Sequence, residues 1–279
     1  MTKIIFLLFF ALSLTQTVFA ETINMHHFDT APELDGNGND WKGIPAVKVK
    51  LHKTHPNAKT NVTTLSIKGG IYIDHVYFYA EWSDDSENIT HKPWIWDQGQ
   101  GKYTKGPQRE DRFAMQFAMK GDFTTDWFSG NEFKADMWHW KANRTNPLGL
   151  LHDKMTIVSR QKIVRAAKFK TRNGNDIYIS RPADNGDKLY KTKRYRKYEK
   201  DVMPKYLLQK NPKGSVADVQ AKALWYDGKW HLEIRRKLHT GHADDISFPN
   251  SGKVHAGIAI FNGSVDDDHT NSNTLVLKF

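Results

Sequence analysis

The sequence contains no cysteine. That absence removes disulfides, thiolate metal sites, cysteine nucleophiles and the C-x-x-C-H attachment of a c-type haem. Packing and hydrogen bonds alone have to hold the fold. After residue 20 no apolar run approaches the roughly 20 residues that a bilayer-crossing helix needs. Acidic side chains are in deficit, 31 against 41 Lys and Arg, for a formal charge of +10. G-x-S-x-G, H-E-x-x-H and phosphate-cradling loops are missing. The scattered carboxylates therefore form no hydrolase constellation, and neither internal repeats nor low-complexity tracts occur.

What is present begins with an export signal. Lys3 precedes the apolar run IIFLLFFALSL, and Thr17-Val18-Phe19-Ala20 supplies a small-residue cleavage pattern after Ala20. The expectation is a signal over residues 1–20 and a soluble mature chain from Glu21, periplasmic or secreted, without a transmembrane anchor; a single-pass anchored state is the alternative. Lys3 is the only charge removed, so the mature chain stays at +9. Residues 21–279 suit one domain with a sizeable core.

Strand signals dominate, because β-branched and aromatic residues alternate with polar ones between Gly, Asn and Asp. They predict strands over Ala46 to Leu51, Ile71 to Glu81, Arg112 to Met119, Ala135 to Ala142, Ala221 to Trp225, Trp230 to Lys237, Val254 to Phe261 and Thr274 to Phe279. Asp35-Gly36, Asp227-Gly228 and Asn262-Gly263 suit tight turns. The spacing predicts an all-β sandwich. From about 160 to 213 the chain becomes a basic insertion, read as a long loop or hairpin. Between Lys188 and Lys213 it carries ten Lys or Arg against Glu199 and Asp201, a local charge of +8, interleaved with Tyr190, Tyr195, Tyr198 and Tyr206. Such a mix can hold nucleic acid. Export favours an acidic partner instead: a redox protein's negative face, an anionic membrane surface or an acidic polysaccharide. The alternative is a solvated charge run.

Period-two parity sorts the residues that can carry chemistry. In DRFAMQFAM, Phe113, Met115, Phe117 and Met119 share one face. Met115 and Met119 offer soft thioether donors to a metal, or simply fill the core. In ADMWHWKA, Trp138 and Trp140 read as sheet-packing aromatics, and Met137, His139 and Lys141 line the opposite face as potential ligands and anion partners. A solvated strand face is the alternative there. His269 lies in a loop between two strands, either as an imidazole donor or hydrogen-bonded to Asp266, Asp267 or Asp268. That acidic triplet and Asp244-Asp245 offer hard oxygen donors without the spacing of an EF-hand loop. Trp82, Trp94 and Trp96 are candidates for a stacking platform.

Three segments, PELDGNGNDWKGIPAV, the run from Glu110 to Leu150 with its WHWKA signature, and GKWHLEIRRKL…TGHADDISF…AGIAIFNG, resemble the haem-binding domain of ethylbenzene dehydrogenase and its relatives. The resemblance spans most of the mature chain and is thin from Arg160 to about Val202. It implies a β-sandwich similar to DOMON-like domains and family-nine carbohydrate-binding modules, in an exported electron-transfer protein. It also implies a haem iron held by a lysine in a G-x-K-S-like turn and a methionine in the loop before the W-x-W-K strand. This chain departs at both places: His269 stands in the lysine region, and Gly121 to Lys134 contains no methionine. Without cysteine, any haem is a non-covalent haem b. The expected donors are His269, with a methionine or His139 opposite, and the expected partner is a molybdenum oxidoreductase or a cytochrome. The protein is then not itself an enzyme. The second reading is a haem-free sandwich that binds a carbohydrate or another small ligand.

Overall fold

The computed structural model describes residues 20–279, so the expected export signal lies, but for Ala20, outside the described residues. The described chain is built almost entirely of strands. They are β1 (Thr22–His27), β2 (Val47–Lys53), β3 (Thr64–Tyr72), β4 (His75–Ser83), β5 (Trp94–Asp97), β6 (Lys102–Lys105) and β7 (Arg112–Gly121). There follow β8 (Phe133–Lys141), β9 (His152–Ser159), β10 (Ala167–Lys170), β11 (Asp176–Ser180), β12 (Tyr190–Thr192), β13 (Val202–Met203) and β14 (Tyr206–Leu208). The last are β15 (Gln220–Tyr226), β16 (Lys229–Lys237), β17 (Lys253–Phe261), β18 (Thr270–Ser272) and β19 (Leu275–Lys278). Among the described residues no helix is long and apolar enough to cross a membrane.

These strands form a β-sandwich. One layer runs β10-β11-β9-β8-β7-β17 and the other β2-β3-β4-β16-β15, and β18 joins them by pairing with both β17 and β2. β1 straddles the join, with Thr22 to Asn24 against β19 and Met25 to His27 against β3. Alternation decides what each layer buries. Phe113, Met115, Phe117, Trp138, Trp140, Ile258 and Ile260 from one layer meet Ile67, Phe78, Trp82, Trp230, Leu232 and Ile234 from the other. Trp82 stacks on Phe113 at 5.8 Å, and Trp140 meets Trp230 edge-on at 4.8 Å. Each such side chain contributes about 1.5–3 kcal/mol of burial.

The run from Ile71 to Glu81, read as one strand, is two. The chain reverses at Ile73-Asp74, where Ile73 takes φ 52° and stands 77% exposed. The apolar isoleucine concealed a hairpin that Gly or Asn normally announces. Asp227-Gly228 turns as the sequence indicates: both residues have positive φ, 51° and 69°, between β15 and β16. Near the N-terminus the glycines of DGNGNDW answer to close approach, since a Cβ on Gly38 would stand 2.5 Å from the ring of Tyr79. Glu233 secures this loop by accepting the N–H groups of Asp35 and Gly36 at 2.9 and 2.6 Å.

The basic segment is ordered into the fold. Its first part forms the β10–β11 hairpin and extends one layer beyond β9. Its second part returns over the end of that layer, pairing β12 with β14 and β13 with β5.

Candidate functional site

The outer face of the β9-β8-β7-β17 layer carries the chemistry. Register places His139 beside Ala114, which in turn faces Ala259, and places Met137 beside Gln116, which faces Gly257. The small side chains make a flat floor. Two loops cover it. Thr125 lies so close over Gly257 that a Cβ there would meet its Cγ2 at 2.3 Å, and the turn after β17 brings in His269.

His139 and His269 meet across one ring. Phe261 stacks on His139 with centroids 5.9 Å apart and on His269 at 4.5 Å, with the Arg112 guanidinium 4.0 Å from its centroid. Nε2 of His139 and Nδ1 of His269 are buried without a hydrogen-bond partner. Burial, reinforced by Lys141 and Arg112, holds the His139 imidazole neutral far below its ordinary value. Burial and then Arg112 bring His269 down to about 4. Arg112 is itself anchored, bonding Ser264 O at 2.9 Å, Val265 O at 3.1 Å and the Asp266 carboxylate. The acidic triplet is thereby dispersed: Asp266 serves Arg112, and Asp268 accepts the Thr60 N–H at 2.8 Å.

Lys141 continues the row. Its Nζ donates to His152 Nδ1 at 2.7 Å and to the Tyr190 hydroxyl at 3.1 Å, and burial drives its pKa well down. Arg144, paired with the fully buried Glu110, lies over Tyr190 and Tyr206 at 5.1 and 5.3 Å. The basic insertion thus supplies two tyrosines to this end of the floor. Phe261, Arg112, His152 and Arg144 escape sequence reasoning. Only the neighbouring Glu110 and Arg112 of the EDR tripeptide, charged residues entering an apolar strand, hint at a buried polar network.

The remaining candidates are placed elsewhere. Met137 is buried on the outer face, where its sulfur accepts from the Thr156 hydroxyl at 3.7 Å. Met115 is fully buried between the layers, and Met119 packs against the same core, so neither shares a face with His139 or His269. Their reading as metal donors gives way to core filling, because the strand's inner face is closed by Phe113, Phe117 and Trp138. Trp82 likewise leaves the proposed stacking platform, being 2% exposed in the core. Trp94 and Trp96 stay partly exposed on β5, where Trp96 meets Tyr103 and Tyr198.

His91 gives the site a pH signature. Its Nδ1 accepts the Glu110 N–H at 3.3 Å, and burial with Arg144, Lys92, Arg112 and Arg109 holds it to about 2. An unfolded histidine takes its proton near pH 6.5, so the unfolded chain binds more protons as pH falls and the fold loses stability below that value. From pH 7 to pH 5 wild type should lose about 2 kcal/mol more than His91→Asn. Urea melts of both chains at the two pH values measure the difference, and parallel losses would refute it.

The model of the ethylbenzene dehydrogenase family matches residues 38–272. Among solved structures, similarity extends to a family-nine carbohydrate-binding module from Caldicellulosiruptor kristjanssonii in complex with glucose. That likeness has 11% identity and a TM-score of 0.39, covering 92% of this chain and 95% of that one. A putative carbohydrate-binding protein from Bacteroides uniformis is similar at 8% identity and TM-score 0.44, covering 94% and 100%. Among curated proteins none matches.

Proposed function

From the premise that the chain belongs to the ethylbenzene dehydrogenase family, we propose that it is an exported haem b-binding electron-transfer protein or subunit serving a periplasmic oxidoreductase. The observation that carries this reading is the pair of buried, neutral imidazoles, His139 and His269, each with an unpartnered ring nitrogen on one face of the sheet. Neutral imidazole is a common axial donor to haem iron. What supports the group is donor chemistry: two unpartnered imidazole nitrogens close to Ala114, Ala259 and Gly257, with the cations Arg112, Lys141 and Arg144 near enough to pair with propionates once Phe261 leaves the space between the imidazoles. Bound haem supplies one-electron redox chemistry.

The chain's own residues do the rest. His139 and His269 are kept deprotonated by burial and the cations around them. Arg112 is fixed by the 264–266 turn, and the Tyr190–Tyr206 pair shields Lys141 and Arg144 from water. The protein is not itself an enzyme in this reading, and its partner is a molybdenum oxidoreductase or a cytochrome. Cleavage after Ala20 releases it into the periplasm. One observation favours the second reading, a haem-free ligand- or carbohydrate-binding module: Phe261 fills the space between the two imidazoles. Haemin titration separates them. A saturable Soret band at one equivalent supports the haem reading, and no band supports the module.

The basic segment supplies the docking prediction. Lys191, Lys193, Arg194, Arg196 and Lys197 are largely exposed around Tyr190 and Tyr195, beside the Lys141 end of the floor. Such a patch steers an acidic partner, raising association roughly 10- to 1,000-fold at low salt and fading as the Debye length shrinks to about 10 Å at 0.1 M. Reversing Lys193, Arg194, Arg196 and Lys197 to Glu should slow electron exchange with the partner mainly at low salt and leave the haem spectrum unchanged. Equal rates across a salt series would reduce the segment to a solvated surface.

A further inference from the structure

The free edge of the β10-β11-β9-β8-β7-β17 layer presents a surface that neither the haem reading nor the 188–213 segment uses. β10 ends the layer, pairing with β11 alone among the described residues. The chain enters it through a turn in which the Ala166 N–H donates to Ile163 O at 3.2 Å and Arg165 takes φ 63°. Val164, inside that turn, is 84% exposed. Phe169 of β10 is 41% exposed and meets Phe128, itself 40% exposed, edge-on with centroids 5.7 Å apart. These groups are held firmly. The Arg172 N–H donates to Phe128 O at 3.0 Å, Arg160 Nε donates to Gly130 O at 2.9 Å, and the register partner of Phe169, Ile177, is buried in the small core of Phe133, Val158 and Ile179.

Charge of one sign surrounds the exposed apolar groups. From Arg160 to Asn175 the sequence holds six Lys or Arg and no acid, and all six are exposed. Three carboxylates from neighbouring segments answer them. Lys168 and Lys170 pair with Asp176 at 2.7 and 2.6 Å, Arg172 pairs with Asp126 at 2.8 Å, and Glu132 accepts the Arg160 N–H at 2.7 Å, which leaves the edge at +3. Exposed ion pairs of this kind are weak, so their cations stay available to another anion. Lys162 and Arg165 flank Val164 directly.

We propose that this edge docks the protein on an anionic lipid surface, with Val164, Phe169 and Phe128 entering the boundary between headgroups and acyl chains and the cations around them on the lipid phosphates. Apolar side chains on a turn and an edge strand, set among Lys and Arg, suit an interface that is oily below and negative above. A protein partner is a poorer match. Stable protein interfaces centre on a continuous, well-packed apolar patch from which charge is depleted, whereas here cations interrupt the apolar groups. An acidic polysaccharide would pair with the cations but gain little from Val164. Strand pairing with a second copy is opposed by Lys168 and Lys170 on the edge strand itself. The contact is peripheral and electrostatic in reach, since no described helix crosses a membrane. It requires no cofactor, so it does not rest on the haem reading.

The test floats the haem-free mature chain with vesicles of phosphatidylglycerol and phosphatidylcholine in equal parts, and with vesicles of phosphatidylcholine alone. Binding to the first and not to the second is expected, fading as salt rises past about 0.1 M. Val164→Asp with Phe169→Asp should weaken it about tenfold. Lys162→Glu with Arg165→Glu should weaken it by about tenfold or more, and both variants should keep the far-ultraviolet spectrum of the wild type. Because the chain has no cysteine, Val164→Cys takes a single environment-sensitive dye. Its emission should shift to the blue on the anionic vesicles, and the same dye at Ile73→Cys, on the exposed β3–β4 turn of the other layer, should not shift. Absence of binding to anionic vesicles at low salt would overturn the proposal and leave the edge to an acidic protein. Equal flotation of the wild type and both variants would overturn it too, as would a dye at position 164 that stays in water on bound vesicles. Binding lost only on reversal of Lys193, Arg194, Arg196 and Lys197 would move the contact to the other basic segment and overturn the assignment. None of these readouts involves the Soret band, so the haem reading stands or falls separately.

Discussion

Arg236→Leu should destabilise the fold by about 3–5 kcal/mol, the usual cost of removing one partner from a buried ion pair. The Arg236 side chain is fully buried, and its guanidinium lies 4.9 Å from the Trp138 ring and 5.2 Å from Phe248. It joins the two layers by pairing with Asp136 across the core. Leucine leaves Asp136 with neither charge partner nor solvent. The converse substitution sets the scale: Arg236→Leu with Asp136→Leu removes both ends of the pair and should recover much of the loss, because replacing both partners with apolar groups is often neutral. Denaturant midpoints of the three chains give the comparison. Equal loss in the single and double variants would mean that Arg236 acts by packing rather than by charge.

His139→Ala with His269→Ala should weaken haemin binding by more than about 100-fold, since even partners that only support a metal's ligands are worth 10–100-fold. His269→Ala alone should shift the Soret band and change the spin state, because one axial donor is lost and the other kept. Both substitutions lie on the outer face, away from the Trp138–Trp140–Trp230 core, so the far-ultraviolet spectrum should be unchanged. Wild-type affinity in the double variant would place the ligands elsewhere and leave the floor a structural feature.

The sandwich was legible where alternation is strong. Phe113, Met115 and Phe117 sort from Ala114 and Gln116 by parity alone, and so do Trp138 and Trp140 from Met137, His139 and Lys141. Short strands were not legible. β12, β13 and β14 hold two or three residues each, too few for a period to appear, and they form only because tertiary contacts place them. The hairpin at Ile73 was hidden by an apolar residue in a left-handed conformation. His139 and His269 were visible as residue types. Their meeting across Phe261 was not, since 130 positions separate the two histidines and 122 separate His139 from that ring. The Asp266–Asp268 run attracted attention by composition and proved to be dispersed. The acids that do converge, Asp136, Asp153 and Asp245, are scattered along the chain, where no local spacing rule can find them.

The most direct measurement of the central claim is the haem content of the mature chain purified from a haem-replete periplasm, read by pyridine haemochrome against protein concentration. The account predicts one haem b per chain, fully extracted by acid-acetone because the sequence offers no cysteine for thioether bonds. A chain that is colourless as purified, and that shows no Soret band after a stoichiometric addition of haemin, would contradict it.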